Sequence, residues 1–399
     1  MGVYSEYLNR GFDFPELTRE RKRQLRRIAA HRERPILVYA ADLTQAGQAP
    51  ISIDYSDVLP ISDQVANLDG DEVDVVLETS GGSGEVAEDI VRLLRSKFES
   101  VAFIIPGAAK SAGTIIAMSG DEILMGPSSS LGPIDAQLSW QGKTFSADAL
   151  LEGMEKIKSE VEEAGTLNKA YIPILQAISP GELQSAENAL DFAKRLVTDW
   201  LANYKFQDWD THSSTGEPVT RREKEERAEE IAAELCDHSR WLTHGRSIKM
   251  EDLRGMRLLI TDYTEEPELA DAVRRYHTLL RMSFDTNIYK LIETPESQVY
   301  RFVQKQPSGP SQGNGGPRPA KAHLEITCGS CGHEAVIQAN LAQPQPLEEG
   351  LHPYPKDDRF TCPSCGTEHE LSAQRRQIEA QAGIPVVPHR GGTDVPASS

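Results

Sequence analysis

The chain has 399 residues, 61 acidic against 42 basic side chains and a net charge of −19, enough length for a large core and more than one domain. So acidic a balance argues against nonspecific binding to nucleic acid or anionic membrane, whose phosphates it would repel. No stretch of about 18 apolar residues and no leader-like N-terminal run occurs, so a soluble, cytoplasmic protein without a membrane anchor is expected.

Residues 1–14 read as irregular, and residues 17–31 (LTRERKRQLRRIAAH) as a basic helix with Leu17, Leu25 and Ile28 on one side. Its Lys/Arg run is better read as a solvated helix face than as a nucleic-acid arm, and the helix suits a lid or an oligomer contact. Residues 35–41 (PILVYAA) form the first expected strand, 45–61 a loop and 62–68 a short helix. Residues 72–79 carry Val73, Val75, Val76 and Leu77, a strand buried on both faces that Gly81 and Gly82 stop. In residues 85–98, Val86, Ile90, Leu93 and Leu94 recur at helical spacing, and residues 100–106 return to a buried strand. The unit is βαβ, so its two strands should be parallel.

A turn of small residues follows, from Gly107 to Thr114, and then an apolar buried helix at 115–118. Ser111 lies in its first turn, where unpaired N–H groups and the helix dipole favour developing negative charge. Gly81 and Gly82 lack a Cβ and can bring a further N–H to the same point. The N–H groups of Gly82 and Ala112 can thus form an oxyanion hole for a nucleophilic Ser111. Equally, glycine turns and small residues serve close packing alone.

Residues 122–125 read as a strand and 126–136 as a turn-rich crossing that includes Asp135. Helices are expected at 147–163, 168–178, 180–204 and 220–236, with Cys236 as a small buried hydrophobe. A loop at 241–248 (WLTHGRSI) contains His244, and a short helix, a strand, the helix 266–280 and a hairpin around Pro295 complete a domain spanning 1–304. Residues 305–322 are Gly/Pro-rich linker, and residues 376–399 are expected to be disordered. Between them, in 323–375, Cys328-x-x-Cys331 and Cys362-x-x-Cys365, each followed by glycine, have the double-knuckle spacing of a zinc ribbon. All four sulfurs would hold a structural Zn²⁺, with His333 and His369 as lesser substitutes. A reducing compartment favours metal over disulfides, and a module this small depends on its metal to fold.

Several of these pieces, in one order, resemble the serine dehydrogenase proteinase family of the Clp protease and crotonase superfamily, related to signal peptide peptidase A. They are VVLETSGG (75–82), AEDIVRLL (87–94), SAGT (111–114), DEILMGPSSSLGPID (121–135), HGRSI (244–248), and MSF with KLIE (282–293). The resemblance spans about residues 15 to 303. It implies an α/β, Clp/crotonase-like core of repeated ββα units with added helices, assembled as a homo-oligomer and hydrolysing peptide bonds of peptide or unfolded protein substrates. The serine of SAGT, here Ser111, would be the nucleophile. Glu78 and Ser80 depart from the family, which has His and Pro before the glycines.

Clp-type proteases carry a histidine base about two dozen residues after the nucleophile. Here that place holds Asp135, which points to a lysine base as in the signal peptide peptidase branch. Lys110 neighbours Ser111 on a helix and would point about 100° away from it. Lys156 and Lys158 suit a solvated helix. Lys143 lies where membrane-protease relatives place their dyad lysine and is the favoured base, with His244 as a base reaching in from a distant loop. The zinc ribbon would recruit a docking partner. The alternative is a noncatalytic Clp-fold scaffold that recruits its partner the same way.

Overall fold

Runs of Val, Ile and Leu, buried on both faces, build a central sheet that carries everything else. The computed structural model describes residues 2–140, 143–212, 215–303, 320–382 and 384–387. Its contacts group into two units, one ending at Gln304 and one starting at Lys305.

In the first unit α1 (Val3–Arg10) and α2 (Phe14–Arg32) lead into β1 (Ile36–Ala41). Then come α3 (Val58–Ala66), β2 (Glu72–Glu78), α4 (Gly84–Lys97), β3 (Ser100–Ile105), β4 (Ala108–Ala109), α5 (Ala112–Ala117), β5 (Glu122–Met125) and β6 (Ser130–Leu131). A hairpin, β7 (Gln137–Trp140) and β8 (Lys143–Ser146), precedes α6 (Ala147–Ala164), α7 (Ile172–Gln176), α8 (Pro180–Trp200), α9 (Arg221–Cys236), α10 (His238–Trp241) and α11 (Met250–Gly255). β9 (Thr261–Asp262), α12 (Pro267–Phe284), β10 (Ile288–Glu293) and β11 (Gln298–Phe302) close the unit.

The sheet runs β11-β10-β1-β2-β3-β5-β9. β1, β2, β3, β5 and β9 are parallel, while β10 lies antiparallel to β1 and β11 antiparallel to β10. One face packs on α4, α5, α8 and α9, the other on α2 and α12. Past its end each central strand continues into a small second layer. Thr79 bridges Ala109, Gly82 bridges Ile53, β4 pairs with β6, and Leu131 bridges Ile248. Strand, continuation and helix thus recur as β2 to α4 and β3 to α5, the repeated ββα unit.

The α2 and α12 face holds charge as well as hydrocarbon. α2 was expected to expose its basic residues, yet Arg21 and Lys22 are buried. Arg21 Nε and Nη2 each donate at 3.0 Å to the Glu293 carboxylate, and Tyr276 Oη donates to it at 2.9 Å. Lys22 Nζ donates to the carbonyl of Thr294 at 2.6 Å. A cation enters this face because β10 ends there with a carboxylate that must be paired.

The second unit comprises β12 (Lys321–Thr327), β13 (Glu334–Leu341), β14 (His352–Pro353), β15 (Arg359–Thr361), β16 (Glu368–Glu370), α13 (Ser372–Ala382) and β17 (Val386–Val387). Most of the expected linker lies outside the described residues. The tail expected to be disordered from 376 is corrected in part: α13 runs to Ala382, and β17 pairs antiparallel with β13. Ile378, Ala382 and Ile384 pack on the ribbon core, apolar anchors too few and too widely spaced to show as a pattern.

Replacing Arg21 by Met leaves Glu293 buried and uncompensated. It should cost about 3–5 kcal/mol, read as a lower urea midpoint, and the double change with Glu293→Leu should recover much of that loss.

Candidate active site

The continuation of β2 sets the site. Thr79 N–H donates to Ala108 O and Lys110 N–H to Thr79 O, each at 2.9 Å, so the glycine turn is laid against the Ser111 turn. Gly81 has φ +98°, and a Cβ there would lie 2.6 Å from Ser111 Cβ, 2.7 Å from Lys110 O and 3.1 Å from Ala112 N. Gly82 is held on its other side, where Ile53 N–H donates to Gly81 O at 2.8 Å and Ser83 N–H to Ile53 O at 3.0 Å. Strand alternation then turns Gly82 N–H away from Ile53. Neither Gly82 N–H nor Ala112 N–H has an acceptor among the described residues.

Ser111 caps α5 with φ +52° and ψ −120°, a conformation that costs a non-glycine residue of order 1–3 kcal/mol. All six residues of α5 are buried, and Thr114 clamps the turn, donating to Ala109 O at 2.8 Å and accepting Gly132 N–H at 2.9 Å. The Ser111 hydroxyl has no hydrogen-bond partner among the described residues.

Lys110 turns away from Ser111. Its Nζ donates to Leu131 O at 2.7 Å, Arg246 O at 3.0 Å and Ser247 Oγ at 3.0 Å. Burial and the nearby Lys249 bring its amine down to about 8. Leu131 and Ile248 exchange N–H···O bonds of 3.0 Å in both directions, so residues 244–248 are fastened beside the nucleophile turn. His244 heads that segment, and its Nδ1 lies 2.7 Å from Oδ1 of Asp135, whose side chain is fully buried. Burial works against ionising Asp135, but hydrogen bonds from His244, Ser146 and His238 win and hold it below the usual carboxylate range. With Nδ1 committed to the carboxylate, Nε2 of His244 is the nitrogen left to accept a proton.

The remaining candidates disperse. Lys143 opens β8, opposite Trp140 in a hairpin that sequence periodicity missed, and its side chain lies outside the described residues. Lys156 and Lys158 sit on the outer face of α6 beside Glu152 and Glu155. Glu78 lies on the α12 face, 2.7 Å from His277 Nε2 and 3.6 Å from Arg281. Cys236 is buried, which pushes its thiol up to about 12 and leaves it inert.

In the second unit all four sulfurs of Cys328, Cys331, Cys362 and Cys365 lie within 4.8 Å of one another. The Cys328–Cys365 and Cys331–Cys362 separations are 3.6 and 3.8 Å. Four thiolates around a tetrahedral ion, each about 2.3 Å away, would be about 3.8 Å apart. The two knuckles match: Cys328 N–H donates to His333 O and Gly332 N–H to Cys328 O, as Cys362 does to Thr367 and Gly366 to Cys362. Gly332 and Gly366 adopt φ +72° and +76°, and the N–H groups of Ser330 and Cys331 bring the Cys328 thiol down to about 5. The donor set fits a metal ion.

Residues 12–179 match the family of ClpP-like SDH-type serine proteinases. Two curated relatives come from Methanocaldococcus jannaschii, the uncharacterized proteins MJ1495 and MJ0137. They are 27% and 26% identical over 136 residues, which are 33% and 34% of this chain and 47% and 43% of the relatives. The chain thus spans less than half the length of these relatives. Among solved structures, two mutant forms of the 1510-N membrane-bound stomatin-specific protease, one with a substrate peptide, are 24% identical with a TM-score of 0.22. Each match covers 29% of this chain and 60% or 57% of that one. The α/β class and the four-cysteine module expected from the sequence are those of the structure, the ClpP-like match extends over residues 12–179, and no helix among the described residues is long and apolar enough to cross a membrane.

Gly81→Ala should destabilise the protein by roughly 1–3 kcal/mol, seen as a lower melting temperature, because backbone strain and the Ser111 contact arise together. Chelation, or Cys362→Ser, should unfold the second unit alone, read as protease cleavage confined to residues beyond 320.

Proposed function

We propose that the chain is a serine peptidase of the ClpP-like SDH type that cleaves peptide bonds through Ser111. The observation that carries this reading is the strained Ser111 turn faced by two uncommitted amides, those of Gly82 and Ala112, beside a loop that presents a histidine bound to a buried aspartate. An extended peptide pairs with the open side of the glycine strand, its carbonyl next to Ser111. The hydroxyl oxygen attacks, and the developing oxyanion is taken by the Gly82 and Ala112 N–H groups. The hydroxyl proton passes to a base and then to the leaving amine, after which water cleaves the acyl-enzyme.

Two bases compete. The sequence points to Lys143, a Ser-Lys dyad. The geometry favours His244, because Asp135 fixes its tautomer and can stabilise the imidazolium once formed, and Lys110 and Leu131 fasten its segment next to Ser111. In this reading the triad runs Ser111, Asp135, His244 along the chain. The family match over residues 12–179 supports peptide or protein substrates; a homo-oligomeric working form and a cytoplasmic setting are part of the same reading. The four cysteines hold a structural Zn²⁺, the ion suited to a closed tetrahedral thiolate set, and their module docks a partner.

Peptide products from an unfolded-protein mixture, detected by mass spectrometry, should vanish in Ser111→Ala. His244→Ala should lower kcat by roughly 10³-fold or more and Lys143→Ala by less than about tenfold. The reverse order would restore the lysine dyad. Silence from the folded wild type would transfer the fold to the scaffold reading.

A further inference from the structure

Asp135 holds two imidazoles, and the reaction just described uses one. His244 Nδ1 meets Oδ1 at 2.7 Å, while on Oδ2 stand His238 Nδ1 at 3.1 Å and Gln137 Nε2, also at 3.1 Å. An ionised carboxylate only accepts, so both rings present an Nδ1–H to it and both keep Nε2 outward. His238 opens α10, and its backbone N–H donates to Asp148 Oδ2 at 2.9 Å. Next to it Ser239 Oγ donates to Glu152 at 2.6 Å. Of the charged groups around His238, Asp135 comes from the crossing segment and Asp148 from α6, with Glu152 beside Ser239 and Asp237 capping α10 just before it. On its own side Arg240 is paired with Glu234, and Cys236 is a neutral thiol.

We propose that His238 is a positioning residue for His244: by holding the second oxygen of Asp135 it fixes the carboxylate so that the first oxygen stays on His244 Nδ1, the arrangement the Ser111 reaction draws on. A carboxylate held less firmly at Oδ2 can rotate about its Cβ–Cγ bond, and His244 then loses the hydrogen bond that sets its tautomer and ring orientation. This rests on the Ser111–His244 reading.

His238→Asn tests it. The asparagine amide puts a donor where Nδ1 stood and cannot titrate. Ring-labelled histidine NMR on the full zinc-loaded chain should show a retained His244 Nδ1–H signal in the wild type and in His238→Asn, and its loss or broadening in His238→Leu. His238→Leu should lower kcat by roughly tenfold with KM little changed, and His238→Asn should recover most of that loss. An unchanged His244 Nδ1–H signal in His238→Leu would overturn the proposal, as would equal kcat in the wild type, His238→Asn and His238→Leu, since the held oxygen would then not matter. The NMR measurement reads the hydrogen bond whether or not peptide is cleaved, so failure of the peptidase reading remains distinguishable from failure of this one.

Discussion

The contact between Gly81 and the Ser111 turn is the constraint on which the site depends. β2 and β3 are parallel neighbours, so their continuations must run side by side, and the hydrogen bonds of Thr79 to Ala108 and Lys110 set the register. That register leaves no room for a side chain at 81 and forces Ser111 into a positive φ. Left to itself such a turn would relax. Thr114 holds it from Ala109 to Gly132, and the buried α5 anchors it in the core, so packing offsets the strain. The two amides stay uncommitted because the same turn points them away from every protein acceptor described.

Lys110 shows why closeness in sequence does not make a base. Its Nζ is taken up by Leu131 O, Arg246 O and Ser247 Oγ. Burial and Lys249 lower its proton affinity, and the three contacts make the residue a tether between the nucleophile turn, Leu131 and the His244 segment. Asp135 stands where a Clp-type base is expected, and His244, 109 residues further along, meets it at 2.7 Å.

Much of the core was legible. Apolar runs with β-branched residues marked β1, β2, β3 and β5, and helical spacing marked α4, α8 and α12, because those patterns are properties of short windows. Gly81, Gly82 and Ser111 were legible as a turn chemistry, and the cysteines as a ligand spacing. What stayed hidden depends on partners remote in sequence. Arg21 reads as a surface charge until Glu293, 272 residues away, supplies its counter-charge. The hairpin of β7 and β8 has only four residues a strand, too short a window for the alternation in QLSW to stand out, and residues expected as loop around Lys143 are strand. His238 gave no signal at all, since its meaning lies entirely in sharing Asp135 with His244.

The second unit poses a different physical problem. Its buried apolar set is small, built on Ile337, Leu341, Tyr354, Phe360, Leu371 and Val386, and a core of that size contributes little against the entropy of ordering the chain. The two knuckles each spend their turn hydrogen bonds on presenting sulfur rather than on burying hydrocarbon. Four thiolates so close repel one another once ionised, and only a cation between them turns that repulsion into attraction. A bound ion would supply the cohesion that a larger core gives elsewhere. Four sulfurs completing a tetrahedron would leave a bound ion no coordination position for a substrate, which sets this module apart from the open site expected of a catalytic metal.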